Sequence, residues 1–188
     1  MNRAEQRKMA LAQRLALSEE IYAEMCENLL AGFKTLNFEE IDTLHIFLPI
    51  VAKKEPDTYP MIDWLLSVHP EVHIVVPRAD FNTSLMSQHV YPGRENLVLN
   101  AYGIPEPANA ACAAQPDMVM VPLLAFDRRG YRLGYGKGFY DRFLAGLNAQ
   151  KIGLSLFPAL DEIKDVHLND IRLDRCITPG GIVDFEDK

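Results

Sequence analysis

The sequence predicts an α/β protein, a single three-layer α/β/α domain over residues 1–188 with a mostly parallel central sheet. Apolar runs of strand length alternate with segments of helical periodicity, an order typical of a parallel sheet covered by helices. The most hydrophobic run, DMVMVPLLAF at 117–126, is typical of a strand buried on both faces. No internal repeat, linker or charge block divides the chain. Ligands are therefore expected beyond the carboxyl ends of the strands.

The first elements are two helices and a β–α unit. Residues 3–17 show mainly helical apolar spacing, and Ser18 before two glutamates is typical of the N-cap of a second helix, with Gly32 near its end. TLHIFLPI at 43–50 predicts a nearly continuous apolar strand. Residues 56–58 then open a helical stretch that contains Trp64, which we expect in the core.

The rest of the chain continues the alternation. EVHIVVP at 71–77 predicts a strand, and 79–108 predicts an irregular excursion with short β-like pieces at 89–91 and 97–99. After the strand at 117–126 and a turn-rich stretch, a helix is predicted from Lys137 to about Asn148. The last predicted strands are KIGLSLF at 151–157 and RCITP at 175–179.

Composition excludes several classes of protein. The chain has 19 basic and 26 acidic residues, and its net charge of -7 is the wrong sign for a general binder of nucleic acid or anionic membranes. No apolar stretch approaches the length of a membrane span, and the charged N-terminus lacks the features of a signal peptide. The three cysteines form no CxxC pair. We expect a cytoplasmic protein with no nucleic-acid or membrane partner.

The chemically rich segment is FDRRGYRLGYGKGFYDR at 126–142. Gly134, Gly136 and Gly138 remove side chains from a loop that leads into a helix, where backbone N–H groups favour a phosphate. The spacing fits neither the P-loop nor the dinucleotide pattern. Glycines in such a turn can also serve only close packing of strand and helix, so packing remains the alternative to a phosphate site.

Two basic clusters stand out in this acidic chain. Residues 127–142 hold five cations and two acids, and residues 3–14 hold four cations and one acid, so each cluster is +3 and the remainder is -13. Arg3 and Arg7 lie one helical turn apart and could bind one phosphate chain together with the glycine loop. A solvated helix face is the alternative for the N-terminal cluster.

Carboxylates for a Mg²⁺ ion beside such phosphates are also present. Asp141 falls in the first turn of the helix after the loop, and Asp170 or Asp174 could supply a second carboxylate. The alternative for Asp141 is compensation of the helix dipole. Tyr102, in a proline-rich loop, is a candidate for stacking on a flat heterocycle, and an aromatic residue of a surface loop is the alternative. We find no candidate for a covalent nucleophile.

Together these motifs resemble the 5-formyltetrahydrofolate cyclo-ligase family. VPLLAFDRRGYRLGYGKGFYDRFL is similar to the family signature, in which a VP strand and F-D-x-x-G-x-R-L-G precede G-x-G-x-Y-Y-D, with Phe139 in place of the commoner first Tyr. Further landmarks are Arg3-x3-Arg7, FLP followed by Glu55-Pro-Asp-Thr, VPR at 76–78 and YGIPEP at 102–107. The resemblance therefore spans nearly the whole chain.

The resemblance implies a set of site residues. The ATP-binding residues would be Arg3, Arg7, Arg132, Leu133, Gly134, Tyr135, Gly136, Lys137, Gly138, Phe139 and Tyr140. Of these, Arg132, Lys137 and Tyr140 would be catalytic. Asp141 and Asp170 would bind Mg²⁺, whereas Glu55, Tyr102 and Tyr140 would contact the folate.

The activity implied is the ATP-dependent conversion of 5-formyltetrahydrofolate into 5,10-methenyltetrahydrofolate, with ADP and phosphate released. The partner is then a small molecule, and we expect a monomer. The alternatives are a divergent relative that uses ATP on another small substrate, and a nucleotide- or folate-binding module without turnover.

Overall fold

The computed structural model describes residues 1–185, which build a seven-stranded sheet with helices on both faces. The predicted domain extends to residue 188, and residues 186–188 lie outside the described part. In chain order the elements are α1 (Arg3–Leu15), α2 (Glu19–Phe33), β1 (Thr43–Ile46), a 3-10 turn (Val51–Lys53), α3 (Tyr59–Val68), β2 (His73–Asp80), β3 (Leu85–Val90), a second 3-10 turn (Arg94–Asn96), β4 (Leu97–Leu99), β5 (Pro105–Pro107), β6 (Met118–Pro122), β7 (Ala125–Phe126), β8 (Arg132–Leu133), α4 (Phe139–Leu144), β9 (Gln150–Leu154), β10 (Arg175–Thr178) and β11 (Gly181–Asp184).

The central sheet has the order β11-β10-β9-β6-β1-β2-β3. The five inner strands are parallel, and the two edge strands, β3 and β11, run antiparallel to their neighbours. The predicted fold class, a mostly parallel α/β sheet, is confirmed. The strand at the sheet centre is β6, whose buried apolar residues have neighbours on both faces, as its sequence predicted.

Alternating residues divide the core between the two faces of the sheet. Met118 and Met120 of β6 join the larger core cluster, which also contains residues of α2 and α3. Val119 and Val121 point to the other face and pack with Leu144 of α4. The third layer is thus a single short helix together with irregular chain.

The first two helices begin at polar caps. Asn2 accepts a hydrogen bond from Glu5 N at 2.9 Å while the Glu5 carboxylate accepts from Asn2 N, a reciprocal pair that fixes the start of α1. Ser18 Oγ accepts from Ile21 N at 3.2 Å and caps α2, as predicted. Trp64, predicted in the core, is partly buried and packs against the core residues Phe33 and Phe38.

Several segments differ from the prediction: the strand expected over 43–50 ends at Ile46, the strand expected over 151–157 ends at Leu154, and β11 was not predicted. Three further differences concern larger segments. The strand expected over 117–126 is two strands, because the chain leaves the central sheet after Pro122 and then pairs β7 with β8 in a small hairpin. The helix expected up to Asn148 ends at Leu144, since Gly146 adopts a left-handed φ of +74°. The segment 79–108 is more ordered than expected, with β3 as an edge strand and β4–β5 as a separate hairpin.

No helix within residues 1–185 combines the length and the apolar character that crossing a membrane would require.

Candidate active site

A cleft of about 650 Å³ opens beyond the carboxyl ends of three parallel strands. Phe47 and Leu48 follow β1, Ala79 lies near the end of β2, and Pro122 ends β6; all four line the cleft. The volume is in the range of small-molecule binding sites. The cleft therefore lies where ligands of open α/β sheets bind.

The predicted site residues converge on this cleft, with one exception. Its wall includes Arg3, Arg7, Glu55, Tyr102, Arg132, Gly134, Tyr135, Gly136, Lys137, Gly138, Phe139, Tyr140, Asp141 and Asp170. Leu133 does not line the cleft: its side chain is 0% exposed and packs with Leu124, Ala125 and Ile163. The Leu133 side chain therefore cannot contact a ligand in the cleft, so a contact of Leu133 with ATP would have to involve its backbone.

The glycine loop connects β8 to α4 and turns through two positive φ angles. Gly136 has a φ of +90° and Gly138 a φ of +70°, both of which L-residues rarely adopt. Gly134 has no such φ, and a Cβ placed on it would meet no protein atom within 4 Å. Gly136 and Gly138 are thus required by the backbone, whereas Gly134 faces open space.

Helix α1 brings its arginines to this loop. The Arg7 Nε donates to the Gly134 carbonyl at 3.0 Å, and the Arg7 guanidinium lies over Gly136, 3.5 Å from the position of a Cβ there. Arg3 donates to Asp170 Oδ2 at 2.5 Å, and its buried Nε has no partner among residues 1–185. Lys137 is exposed and forms no ion pair within the described part of the chain. One end of the cleft is therefore lined by three cationic side chains.

Glu55 belongs to a buried hydrogen-bonded chain that links two loops. Its carboxylate, on a side chain in a residue 3% exposed, accepts from Ile50 N at 2.7 Å and from the Tyr135 hydroxyl at 2.8 Å. Arg14, 2% exposed, donates in turn to the Tyr135 oxygen. Burial raises the pKa of the Glu55 carboxyl, and the hydrogen bonds from Ile50 and Tyr135 oppose that rise. Tyr135 of the glycine loop thus connects Arg14 of α1 to Glu55.

Another part of the cleft wall, which we call the aromatic end, consists of Phe81, Tyr102 and Phe139. Tyr102 is 65% exposed and stacks on Phe81, with ring centroids 4.3 Å apart and an interplanar angle of 35°. Phe81 in turn meets Phe139 edge-to-face at 5.3 Å. Such a wall offers flat π faces to a heterocycle.

Tyr140 is part of the wall, and its hydroxyl lies 3.1 Å from Nε2 of the fully buried His45. Burial raises the pKa of the Tyr140 phenol, and the nearby charge of Glu55 adds to the rise. Burial lowers the pKa of His45 to about 4. Both side chains are therefore neutral at neutral pH.

The comparisons with known proteins agree with this architecture. The sequence profile described as the 5-formyltetrahydrofolate cyclo-ligase family matches residues 1–179. The chain belongs to the 5-formyltetrahydrofolate cyclo-ligase family. A 5-formyltetrahydrofolate cyclo-ligase from Escherichia coli K12 is 30% identical over 184 residues, covering 93% of this chain and 98% of that protein.

Two further relatives of this family place the likeness in context. The mitochondrial 5-formyltetrahydrofolate cyclo-ligase of Arabidopsis thaliana is 28% identical, and the match covers 84% of this chain and 61% of that protein. The NMR structure of the 5,10-methenyltetrahydrofolate synthetase of Aquifex aeolicus superposes with a TM-score of 0.84 at 29% identity. That superposition covers 100% of this chain and 95% of the other.

The first part of the family signature, F-D-x-x-G, stabilises the local fold, whereas its second part forms the loop in the cleft. Asp127 is fully buried and accepts hydrogen bonds from the backbone N–H groups of Arg129, Tyr131 and Ile163 at 2.9, 3.1 and 3.0 Å. Gly130 closes the turn with a φ of +84° and donates to the Asp127 carbonyl at 3.0 Å. The F-D-x-x-G part of the motif thus fixes the β7–β8 hairpin that leads into the cleft.

The carboxylates of the cleft fit a Mg²⁺ ion held partly by phosphates. Asp141 Oδ1 accepts from Arg132 Nη2 at 2.9 Å, and Asp170 Oδ2 accepts from Arg3, so a second oxygen remains on each carboxylate. No cluster of three or more potential metal ligands occurs within residues 1–185. Mg²⁺ is typically bound by one or two carboxylates with phosphate and water. Asp174 does not line the cleft; it accepts from Lys151 N at 2.7 Å instead.

The basic segment at 127–142 does not face the cleft as a whole, which corrects the expectation from charge. Arg128 pairs with Asp161 at 3.2 Å, and Arg129 pairs with the buried Asp127 at 2.7 Å. Only Arg132 and Lys137 of its five cations line the cleft. Arg132 itself already donates hydrogen bonds to Asp141 and to the Ile171 carbonyl.

Sequence reasoning missed three residues of the site. His45 lies within an apolar run that reads as a plain buried strand, and Arg14 belongs to a cluster that composition alone describes as surface charge. Phe81 lies in the segment expected to be irregular. The one available signal was the polar His45 inside TLHIFLPI, because a buried polar group requires a partner.

Proposed function

We propose that this chain converts 5-formyltetrahydrofolate into 5,10-methenyltetrahydrofolate, with ATP consumed and ADP and phosphate released. The observation that carries the proposal is that a single cleft is lined by cationic side chains and by stacked aromatic side chains, with Tyr140 in its wall. A polyanion and a flat heterocycle are the two groups that this reaction must bring together. Family membership supports the same conclusion.

The cationic end is proposed to bind ATP. Arg3 and Arg7 offer guanidinium groups beside the glycine loop, and Lys137 offers an ammonium group without an ion-pair partner in the described chain. The open space at Gly134 lets a phosphate approach the backbone closely. Fixed cations and N–H groups of this kind stabilise the charge of a transferring phosphoryl group.

Asp141 and Asp170 are proposed to hold Mg²⁺ with the phosphates. When bound, the ion supplies charge neutralisation on the phosphate oxygens. Arg132 holds the Asp141 carboxylate, and Arg3 holds the Asp170 carboxylate, so both ligands are oriented before any ion arrives. Arg132 thus contributes by positioning Asp141 beside the site of transfer.

The aromatic end is proposed to bind the folate. Tyr102 with Phe81 provides a stacking surface, and the buried Glu55 provides a carboxyl held by hydrogen bonds from Ile50 and Tyr135. The Tyr135 link to Glu55 means that the loop at the nucleotide and the carboxyl at the folate are parts of one hydrogen-bonded unit.

The chemistry requires positioning more than a protein nucleophile. The formyl oxygen of an amide is a poor leaving group, so it is proposed to take the γ-phosphoryl group while ADP departs. N10 then attacks the formyl carbon, the C–O bond breaks to release phosphate, and N10 loses its proton as the ring closes. Holding both substrates in one cleft makes these steps effectively intramolecular.

The appearance of methenyltetrahydrofolate absorbance from 5-formyltetrahydrofolate tests the proposal. We expect the signal to require ATP and Mg²⁺ together. ATP binding without turnover would instead indicate a non-catalytic binding module. ATP hydrolysis or transfer with a different substrate only would indicate a divergent member of the family.

We further propose that residues 1–188 act as one domain, as a monomer in the cytoplasm, with small molecules as partners and without nucleic acid or membrane. The net charge of -7 supports the absence of nucleic-acid and anionic-membrane partners, because an acidic chain repels such polyanions.

A further inference from the structure

A histidine that the proposed chemistry does not use lies buried beneath Tyr140. His45 is on β1, facing α4, and its ring packs against Phe143 at a centroid distance of 4.7 Å. Its two nitrogens have one partner each: Nε2 lies 3.1 Å from the Tyr140 hydroxyl, and Nδ1 lies 3.2 Å from the side-chain oxygen of Gln88 on β3. The three side chains form a continuous line from the edge strand to the cleft.

A backbone carbonyl fixes the direction of every hydrogen bond in this line. The Gln88 amide nitrogen lies 2.7 Å from the carbonyl oxygen of Ala114. A carbonyl oxygen can only accept, so the Gln88 atom facing Ala114 must be the nitrogen and the atom facing His45 must be the oxygen. The Gln88 oxygen can also only accept, so His45 carries its proton on Nδ1.

The tautomer of His45 then fixes the Tyr140 hydroxyl. A neutral imidazole with its proton on Nδ1 has an acceptor at Nε2, so the Tyr140 hydroxyl donates to it. The Tyr140 oxygen can therefore still accept a hydrogen bond from a ligand in the cleft, but its proton is already used in the bond to His45. At neutral pH His45 stays in this state, because burial keeps its pKa near 4.

We infer that Gln88 and His45 are positioning residues that hold Tyr140 as a hydrogen-bond acceptor, so that Tyr140 binds an N–H group of the folate and not a carbonyl or phosphate oxygen. The inference rests on the proposed function for the identity of the substrate. The direction of the relay rests on the Ala114, Gln88 and His45 contacts and on the neutral state of the buried His45.

A double-mutant cycle tests the inference. His45→Leu should lower kcat/KM for the folate about three- to tenfold, the range for one neutral hydrogen bond, and should leave KM for ATP unchanged. In the Tyr140→Phe background the same change should have no further effect, because the hydroxyl through which His45 acts is already absent. An equal loss in both backgrounds would overturn the inference and make His45 a packing residue.

Two other variants keep the test decisive if His45→Leu does not fold. His45→Gln retains an acceptor near the position of Nε2 and should recover most of the lost kcat/KM. Gln88→Met removes the hydrogen bonds to His45 and to the Ala114 carbonyl while keeping His45, and it should lower kcat/KM by about threefold, again with no effect in Tyr140→Phe. A Gln88→Met enzyme as active as the unmodified chain would also overturn the relay.

The matched control is His89 on β3. It is also buried and bonded at both nitrogens, to Ser87 and to the Asn109 carbonyl, but it lies outside the cleft. His89→Leu should lower the free energy of unfolding, and any effect of this variant on kcat/KM should be the same with Tyr140 as in the Tyr140→Phe background.

An independent measurement separates failure of the relay from failure of the proposed function. Nitrogen-15 NMR of the imidazole in the unmodified chain, without substrate, should show His45 protonated at Nδ1 and unprotonated at Nε2. Protonation at Nε2 would overturn the inference even if the cyclo-ligase activity is present. The Nδ1 tautomer together with an inactive enzyme would leave the relay standing and refute the activity.

Discussion

Alanine at Gly134 separates the two explanations of the glycine loop, which are room for a ligand and close packing of protein elements. A Cβ at Gly134 meets no protein atom within 4 Å, and the residue has no positive φ. The folded chain should therefore accept Gly134→Ala. Because alanine also restricts the unfolded chain, the free energy of unfolding should stay unchanged or rise by about 0.4–1 kcal/mol.

ATP binding should respond in the opposite direction. Gly134 lines the cationic end of the cleft, so the added methyl group occupies space that we assign to a phosphate. Forcing a methyl group into a packed contact destabilises it by about 1–3 kcal/mol. A loss of about 1–2 kcal/mol of binding free energy corresponds to a factor of about 5–30. KM for ATP should therefore rise by about that factor, while the free energy of unfolding should not fall.

Gly136→Ala provides the contrast within the same loop. Its methyl group would lie 3.5 Å from Arg7 Cζ, an ordinary contact, but its φ of +90° is unfavourable for alanine. The strain should lower the free energy of unfolding by about 1–2 kcal/mol. Urea unfolding followed by the fluorescence of Trp64, the only tryptophan of the chain, measures both variants.

Two results would contradict this reasoning about Gly134. If Gly134→Ala leaves KM for ATP unchanged, the loop does not bring its backbone to a phosphate at that position. If the same variant is destabilised by more than about 1 kcal/mol, the space at Gly134 is not open and the argument from packing is wrong.

Three further predictions concern the cations and the hairpin. Lys137→Ala should lower kcat about a hundredfold, as expected for one lost donor to a transferring group. The control variant Arg128→Ala removes a cation that is paired with Asp161 outside the cleft, and it should not lower kcat. Equal activity of the two variants would contradict the role of Lys137. Arg7→Ala should raise KM for ATP about tenfold with kcat less affected, and an unchanged KM would return the N-terminal arginines to a solvated helix face. Asp127→Ala leaves three backbone N–H groups and a guanidinium without their acceptor, so urea unfolding should show a loss of about 3–5 kcal/mol, and a loss below about 1 kcal/mol would refute the anchoring role of Asp127.

Much of the fold could be predicted because the inner strands are apolar and the helices are capped. Mainly apolar and buried residues make up the strand segments TLHI, HIVV and MVMV, so their sequence predicts strands. Ser18 marks a helix start because its side chain accepts a hydrogen bond from Ile21 N. The edges of the sheet were harder. β11 and β3 mix polar and apolar residues and run antiparallel, and their pairing depends on turns that place them beside β10 and β2. Neither periodicity nor composition determines such pairing.

The site was predictable where like-charged residues lie close in sequence. Arg3 and Arg7 reach the glycine loop as their spacing suggested. Charge alone did not distinguish Lys137, which lines the cleft, from Arg129, whose partner is the buried Asp127 two residues earlier. That distinction depends on where the β7–β8 turn directs each side chain. The role of His45 required a partner 95 residues away.

The position of α1 has a consequence for the order in which the molecule is completed. Its polar side chains bond to Gly134, to the backbone at residues 162–164 and to Asp170, between 127 and 167 residues further along the chain. Its apolar residues, Ala10 and Leu11, belong to a small cluster separate from the two clusters on the sheet. The full set of these bonds can therefore form only after residues up to Asp170 have been synthesised. A nick between α1 and α2 would, by the same geometry, release the arginines of the cleft and spare the core of the sheet.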